Sequence, residues 1–190
     1  MSDRNSDGSN STYGGSNPPA APYYVYLDTR LWHSIRAELA EWTAQQKNYT
    51  TDSRTIRPVE LPECESLREF LHTLRAEPVL AEIYVRPPGG EGRVHRDGGA
   101  GTAYQWSINI PLEGWRGTRT DFWLPRTGPT HENGIWCWER HNCWHRSSHP
   151  TLAPFAMDTG VPHSVHNLDS TRITLLLRMH TAWRPPQTKN

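Results

Sequence analysis

The sequence has no excess of either charge, because Lys and Arg together number 20 and Asp and Glu together number 20. A chain with no basic field has nothing to attract nucleic acid, so we expect no nucleic-acid partner. No apolar run approaches the length of a membrane span, and we expect no membrane partner either. The N-terminus also lacks the charged and apolar regions of a secretory signal, which predicts a cytoplasmic protein.

Cysteines are also few. The three thiols, Cys64, Cys137 and Cys143, are an odd number and widely spaced, which favours reduced cysteines over a disulfide framework. The segment 131–149 concentrates His, Cys and Trp without a simple strand pattern. A zinc site on Cys137, Cys143 and His145 is disfavoured because the spacing matches no paired-cysteine knuckle. The alternatives are a lid over an active site and a plain structural hairpin.

Tryptophan, by contrast, is abundant, with nine residues in the chain. We expect most of them to pack between sheets and a minority to line a substrate pocket. Residues 1–22 are rich in Ser, Asn, Gly and Pro and are predicted to be a disordered tail. Residues 23–184 are predicted to form a single domain and residues 185–190 a flexible C-terminus.

The first part of that domain has the patterns of two helices. One is predicted from Leu31 to about Lys47, because apolar residues recur on one face. A second is predicted to begin at Ser66, which forms a capping box with Glu69, and to end at Pro78.

Strand patterns separated by Gly and Pro clusters follow. They predict strands over 79–86, 102–112, 121–124, 135–138, 152–157, 163–167 and 171–179, after a short one at 23–27. Many short antiparallel strands behind a helical segment indicate a mainly β fold with N-terminal helices, as a distorted double-stranded β-helix of the jelly-roll or cupin type.

Four residues carry the chemistry. Side chains alternate across a strand, so His95 and Asp97 project to the same face, and His163 follows 68 residues later. Two histidines and one carboxylate are the protein ligands of the non-haem Fe(II) facial triad. Arg172 then lies where a hairpin partner would place a cation to clamp a dicarboxylate. Each residue also has an ordinary structural interpretation, and His166 is a rival ligand that faces the other side of its strand.

The series HRDGG, WSINIPLEGW, VPHSVHN and TRITLLLR, within Val79 to Met179, resembles small Fe(II)/2-oxoglutarate-dependent dioxygenases of the aspartyl/asparaginyl- and prolyl-hydroxylase branch. The resemblance implies that His95, Asp97 and His163 hold iron and that Arg172 holds the C5 carboxylate of 2-oxoglutarate, with O2 as the other reactant. The presence of the Asp97 carboxylate favours hydroxylation over halogenation, since related halogenases have a small residue there.

Further contacts are predicted around this site, and strand parity supports two pairs of them, Ser107 with Asn109 and Arg172 with Arg178. The candidates for cosubstrate contacts are Tyr104, Ser107 and Asn109. The candidates for substrate contacts are Trp106, Trp138, Arg178 and His166, and Arg178 is also an alternative to Arg172 as the clamp.

The sequence thus predicts an Fe(II)- and 2-oxoglutarate-dependent hydroxylase acting on a small molecule such as an amino acid or a related metabolite, with release of succinate and CO2. A peptide- or carrier-tethered substrate is the alternative. One alternative is a metal-dependent cupin, an oxygenase or isomerase, that needs no 2-oxoglutarate. The other is a non-enzymatic binding module whose tryptophans stack on ligands.

Overall fold

The computed structural model describes residues 23–49, 55–97, 104–132 and 134–186. The predicted tail at 1–22 lies outside these residues, as do residues 187–190 of the predicted C-terminal segment. The predicted division of the chain into domains therefore stays a prediction. Among the helices in the described ranges, none is both long and apolar enough to span a bilayer.

Three α-helices occur in the described ranges: α1 Trp32–Glu38, α2 Ala40–Gln46 and α3 Glu65–Thr73. The single helix predicted from Leu31 is interrupted at Leu39, which separates α1 from α2. The capping box predicted for α3 is wrong, because Cys64 occupies the N-cap and no side chain caps it. Glu38 of α1 accepts the hydrogen bonds of the Ser66 hydroxyl and amide instead, so a tertiary contact replaces the local cap.

Thirteen strands are found in the described part of the chain, arranged in two antiparallel sheets. The first sheet has the order β1-β11-β6-β13-β3-β2. Its strands are β1 Tyr24–Tyr26, β2 Thr55–Pro58, β3 Pro78–Arg86, β6 Tyr104–Glu113, β11 Phe155–Asp158 and β13 Arg172–His180.

The second sheet has the order β10-β7-β12-β5-β9-β8, and β4 pairs with β12 beside this path. Its strands are β4 Gly90–Glu91, β5 Val94–Arg96, β7 Arg119–Pro125, β8 Thr130–Glu132, β9 Ile135–Trp138, β10 Cys143–Pro150 and β12 His163–Asn167. The predicted fold class is confirmed: a mainly β chain with N-terminal helices, folded as a distorted double-stranded β-helix.

The two faces of the first sheet differ in chemistry because side chains alternate along each strand. One face packs on the helices and forms the main hydrophobic core, with Ile83, Val85, Ile108, Ile110, Ile173, Leu175 and Leu177 fully buried. The residues between them are largely polar, as in Glu82 and Tyr84 on β3 or Ser107 and Asn109 on β6. The apolar alternation thus leaves a polar lining for the interior between the sheets.

Segment 131–149 contributes β9, β10 and part of β8 to the second sheet, although its sequence shows no simple strand pattern. Cys143 is buried in a small cluster with Val94 and Trp123.

The strand predicted to start at residue 152 begins at Phe155, directly after Pro154, whose ring nitrogen has no hydrogen to donate to a ladder.

Candidate metal centre

Two histidines face each other across neighbouring strands of the second sheet. His95 on β5 is the register partner of His163 on β12, and their ring centroids are 4.5 Å apart. Asp97 follows β5, where its backbone N–H donates to the carbonyl of Thr159 at 3.0 Å. One ligand atom from each of the three residues lies within 4.8 Å of the others. No other group of three His, Cys, Asp or Glu converges in this way in the described ranges.

Backbone carbonyls fix the orientation of both imidazole rings. His95 Nδ1 lies 2.9 Å from the carbonyl oxygen of Arg93, and His163 Nδ1 lies 2.8 Å from that of Val161. A carbonyl oxygen only accepts, so each Nδ1 must carry the proton and each Nε2 retains its lone pair. His95 Nε2 points toward Asp97 Oδ1 at 3.3 Å. Three electron-rich atoms therefore converge, an arrangement that a cation would stabilise.

The other carboxylate oxygen of Asp97 is held by Arg178. The Arg178 Nη1 group donates to Asp97 Oδ2, and its Nε donates to Glu82 at 2.6 Å. Burial alone would raise the pKa of Asp97, but the charge of Arg178 outweighs burial and holds this pKa well below its usual range. Asp97 is therefore ionised at neutral pH, with Oδ1 directed toward the histidines.

His163 is neutral at physiological pH. Burial lowers its pKa to about 4, assisted by the neighbouring His95, and the Asp97 carboxylate only partly opposes this effect. A neutral imidazole with a free Nε2 is the form that binds metals.

Arg172 lies at the start of β13 and is only 3% exposed. Its Nε donates to Thr174 Oγ1 at 2.9 Å, and its guanidinium carbon lies 5.5 Å from the centre of the Tyr84 ring. Its Nη1 has no hydrogen-bond partner, and no carboxylate of the described residues lies within ion-pair distance. Burial lowers the pKa of this arginine, as expected of a cation without an anion.

A cavity of about 40 Å³ joins these groups, and it is lined by His95, Asp97, His163, Arg172 and Arg178. Ser107 and Asn109 line the same cavity, where the Asn109 amide donates to Ser107 Oγ at 2.9 Å. This space holds only a few water molecules, so a bound dicarboxylate would require the walls to move apart. The side chain of Tyr104, another predicted contact, lies outside the described residues.

The predicted substrate contacts are placed elsewhere, with one exception. Trp106 is adjacent to Ser107 on β6, so its side chain projects to the opposite face of the first sheet. It belongs to the hydrophobic core between that face and the helices. Trp138 is the register partner of Val94 rather than of His95 and donates to the carbonyl of Thr127. These positions do not support the substrate contacts predicted for the two tryptophans.

His166 lies on the opposite face of β12 from His163, where it bridges Glu91 at 3.1 Å and Asp121 at 2.8 Å. Arg178 does reach the cavity, but Asp97 and Glu82 engage its guanidinium. The structure therefore places Arg178 where it orients Asp97.

Sequence reasoning missed Glu82, Tyr84 and Arg86 on β3. They alternate with the buried Ile83 and Val85, so the polar and apolar alternation of EIYVR was the available signal. Tyr84 lines the cavity beside Arg172, and its hydroxyl accepts a hydrogen bond from Arg86 at 3.0 Å.

A second pocket of about 300 Å³ adjoins this cavity. Three residues, Tyr84, His95 and Val165, line both spaces. The larger pocket lies against the candidate metal ligand His95 and is the adjacent space with room for a second small molecule.

Solved structures of prolyl hydroxylases share this fold. A prolyl-4-hydroxylase from Pseudomonas putida superposes with a TM-score of 0.54 at 17% identity, over 83% of this chain and 92% of that chain. A Trichoplax adhaerens prolyl hydroxylase, solved with a hypoxia-inducible-factor peptide fragment, gives 0.53 at 12% identity, over 83% of each chain. A viral collagen prolyl hydroxylase from Paramecium Bursaria Chlorella virus-1, solved with 2-oxoglutarate, gives 0.50 at 13% identity, over 85% of this chain and 97% of that one.

These likenesses establish a 2-oxoglutarate-oxygenase-like fold, in agreement with the resemblance in sequence. Neither the protein-family models nor the curated proteins contain a match to this sequence. At sequence identities this low, the structural similarity shows a shared fold but not a shared activity, which depends on the residues of the site.

Proposed function

We propose that this chain is an Fe(II)- and 2-oxoglutarate-dependent oxygenase that hydroxylates a small molecule such as an amino acid or a related metabolite. The convergence of two imidazole Nε2 lone pairs and one carboxylate oxygen beside a buried arginine that lacks an anionic partner is the observation that carries the proposal. The fold is consistent with it.

The donor set fits Fe(II). His95, Asp97 and His163 would supply three ligand atoms from one side, which leaves positions for the other reactants. The backbone bonds at each Nδ1 hold the rings in place, and Arg178 holds Asp97 by its second oxygen. When bound, Fe(II), 2-oxoglutarate and O2 supply the oxidation of a C–H bond to C–OH, with release of succinate and CO2.

Charge balance supports a dianionic cosubstrate. Asp97 and Glu82 are negative and Arg178 and Arg172 are positive, so the buried charges that line or support the cavity cancel. A divalent metal and a dianion added together preserve that balance. Arg172 would take the far carboxylate of 2-oxoglutarate, since its Nη1 is unused and Tyr84 and Thr174 lie beside it. Ser107 and Asn109 are further polar groups on the same wall.

We assign the substrate to the adjoining pocket of about 300 Å³, which suits a molecule of amino-acid size better than a folded partner. A peptide is the alternative occupant, because the Trichoplax protein was solved with one. Product formation with free amino acids, measured by mass spectrometry, distinguishes the two.

The test is O2-dependent succinate release by the Fe(II)-loaded protein supplied with 2-oxoglutarate and a panel of amino acids. We expect succinate and a hydroxylated product in equal amounts, and at least a tenfold higher 2-oxoglutarate KM for Arg172→Met. A metal cupin would instead turn over without 2-oxoglutarate and would not respond to Arg172→Met. A binding module would hold its ligand equally well after iron chelation or His95→Ala. Either of these results would refute the proposal.

A further inference from the structure

A second buried arginine, Arg86, lies beside the candidate metal centre and is not used by the proposed reaction. It is the register partner of Arg172 across β3 and β13, so both side chains project to the same face of the first sheet. The two arginines line different spaces: Arg172 lines the small cavity, whereas Arg86 lines the pocket of about 300 Å³.

The guanidinium of Arg86 is enclosed but not neutralised. The residue is 7% exposed, its Nη1 donates to the Tyr84 hydroxyl, and its buried Nε has no hydrogen-bond partner. A Cβ added to Gly90 would lie 2.2 Å from this Nε, so the bare backbone at residue 90 is what lets the arginine fit there. Burying a cation in such a site costs free energy unless an anion binds beside it.

The acidic residues that line the pocket already have partners. Glu132 is paired with Arg93, and Glu91 is paired with Arg140 and with His166 at 3.1 Å. In the described part of the chain no carboxylate lies within ion-pair distance of Arg86. Since the charges around the metal cavity cancel, Arg86 leaves one positive charge that the protein, the metal and the cosubstrate do not balance.

We infer that Arg86 binds a carboxylate of the substrate, and that the substrate is a small carboxylic acid held in this pocket with the rest of the molecule directed toward His95. One unbalanced cation matches one carboxylate, and a guanidinium is suited to the planar geometry of that group. Tyr84 and His95 line both spaces, so a molecule anchored at Arg86 lies next to the metal centre.

This inference rests on the proposed function for the role of the molecule, but its test measures binding alone. The Fe(II)- and 2-oxoglutarate-loaded protein is kept anaerobic, and L-amino acids and their C-terminal amides are titrated as matched pairs by calorimetry. We expect at least one acid to bind at least tenfold more tightly than its amide. Arg86→Met should abolish that preference and weaken binding of the acid at least tenfold, whereas Arg86→Lys should retain part of it.

Three controls separate the possible roles of Arg86. Arg68→Met removes an exposed cation of α3, away from the pocket, and it should leave the preference for acids unchanged. Asp52→Asn removes an acidic residue that lies outside the described residues, and it tests whether Arg86 has an internal anionic partner. This variant should also leave the preference for acids unchanged. The melting temperature of Arg86→Met should not fall, because the removed cation has no internal anion.

The inference is overturned if no acid of the panel binds, if amides bind as tightly as acids, or if Arg86→Met leaves the binding of acids unchanged. It is also overturned if Asp52→Asn tightens acid binding tenfold, which would reveal an internal partner for Arg86. A tenfold weaker affinity for 2-oxoglutarate in Arg86→Met would assign the arginine to the cosubstrate instead. Failure of the proposed function has a different signature, because the Fe(II)-supplied protein would then not bind 2-oxoglutarate.

Discussion

Single side chains at this site are held in place by neighbouring charged groups. Arg178 bonds to the second oxygen of Asp97 and to Glu82, and it separates two buried carboxylates that would otherwise repel each other. Burial would lower the pKa of Arg178, but the charges of Asp97 and Glu82 raise it above its ordinary value. The guanidinium is thus a permanent part of the site and acts through Asp97.

Replacing Arg178 by Met should therefore weaken metal binding and the fold together. We expect Mn(II) affinity to fall about 10–100-fold, as is typical when a group that orients a ligand is lost. The free energy of unfolding should fall by roughly 3–5 kcal/mol, because a buried charge pair is broken on one side. Arg184→Met, at an exposed arginine, is the control. Unchanged Mn(II) affinity in a folded Arg178→Met protein would show that Asp97 needs no such support.

The elements that place Arg172 are joined by a close backbone contact. Gly114 follows β6 with a φ of 62°, and a Cβ there would lie 1.9 Å from the carbonyl oxygen of Thr171. Thr171 directly precedes Arg172, so the absence of a side chain at position 114 lets the turn after β6 approach the start of β13.

Gly114→Ala should consequently destabilise the protein by about 1–3 kcal/mol, or several degrees in melting temperature. It should also weaken 2-oxoglutarate binding, because the backbone that carries Arg172 must shift. Gly128→Ala is the matched control, since a Cβ there meets nothing within 4 Å. If thermal melting shows equal stability for the two variants, the contact does not position β13.

The same elements show which features of the site could be predicted from the sequence alone. Strand parity paired Ser107 with Asn109 on β6 and Arg172 with Arg178 on β13, because alternation is a local property of each strand, and all four line one cavity. The substrate contact proposed for Trp106 came from its size, whereas its phase on the strand assigns it to the core, where it lies. The capping box at Ser66 failed because Glu38, 28 residues away, competes for the same donors. Such non-local competition leaves no trace in a short sequence window.

At the scale of the whole molecule, the two sheets form an interior in which polar groups are buried along with apolar ones. Burial also affects two histidines outside the metal centre, the half-buried His149 and the buried His166 on the opposite face of β12 from His163. Burial lowers the pKa of His149, which stacks on Tyr24, and that of His166, which bridges Glu91 and Asp121. Both shifts persist although Asp121 opposes them.

These two shifts predict how stability depends on pH. The unfolded chain takes up protons on its histidines as the pH falls below about 6.5, whereas the folded chain resists until lower pH. The stability contributed by the neutral histidines is therefore complete above about 6.5 and is lost as the pH falls through their lowered pKa values. Urea unfolding in the presence of a chelator should show lower stability at pH 5.5 than at pH 7.5. A smaller difference is expected in His149→Phe, and an unchanged difference would contradict this explanation.

The central claim is that His95, Asp97, His163 and Arg172 form one site for Fe(II) and 2-oxoglutarate, and an anaerobic titration with both tests it most directly. We predict a visible charge-transfer absorption that needs both reactants and is absent in His163→Ala. In Arg172→Met it should require at least tenfold more 2-oxoglutarate. If the wild-type protein shows no absorption while circular dichroism shows it to be folded, the four residues do not form this site.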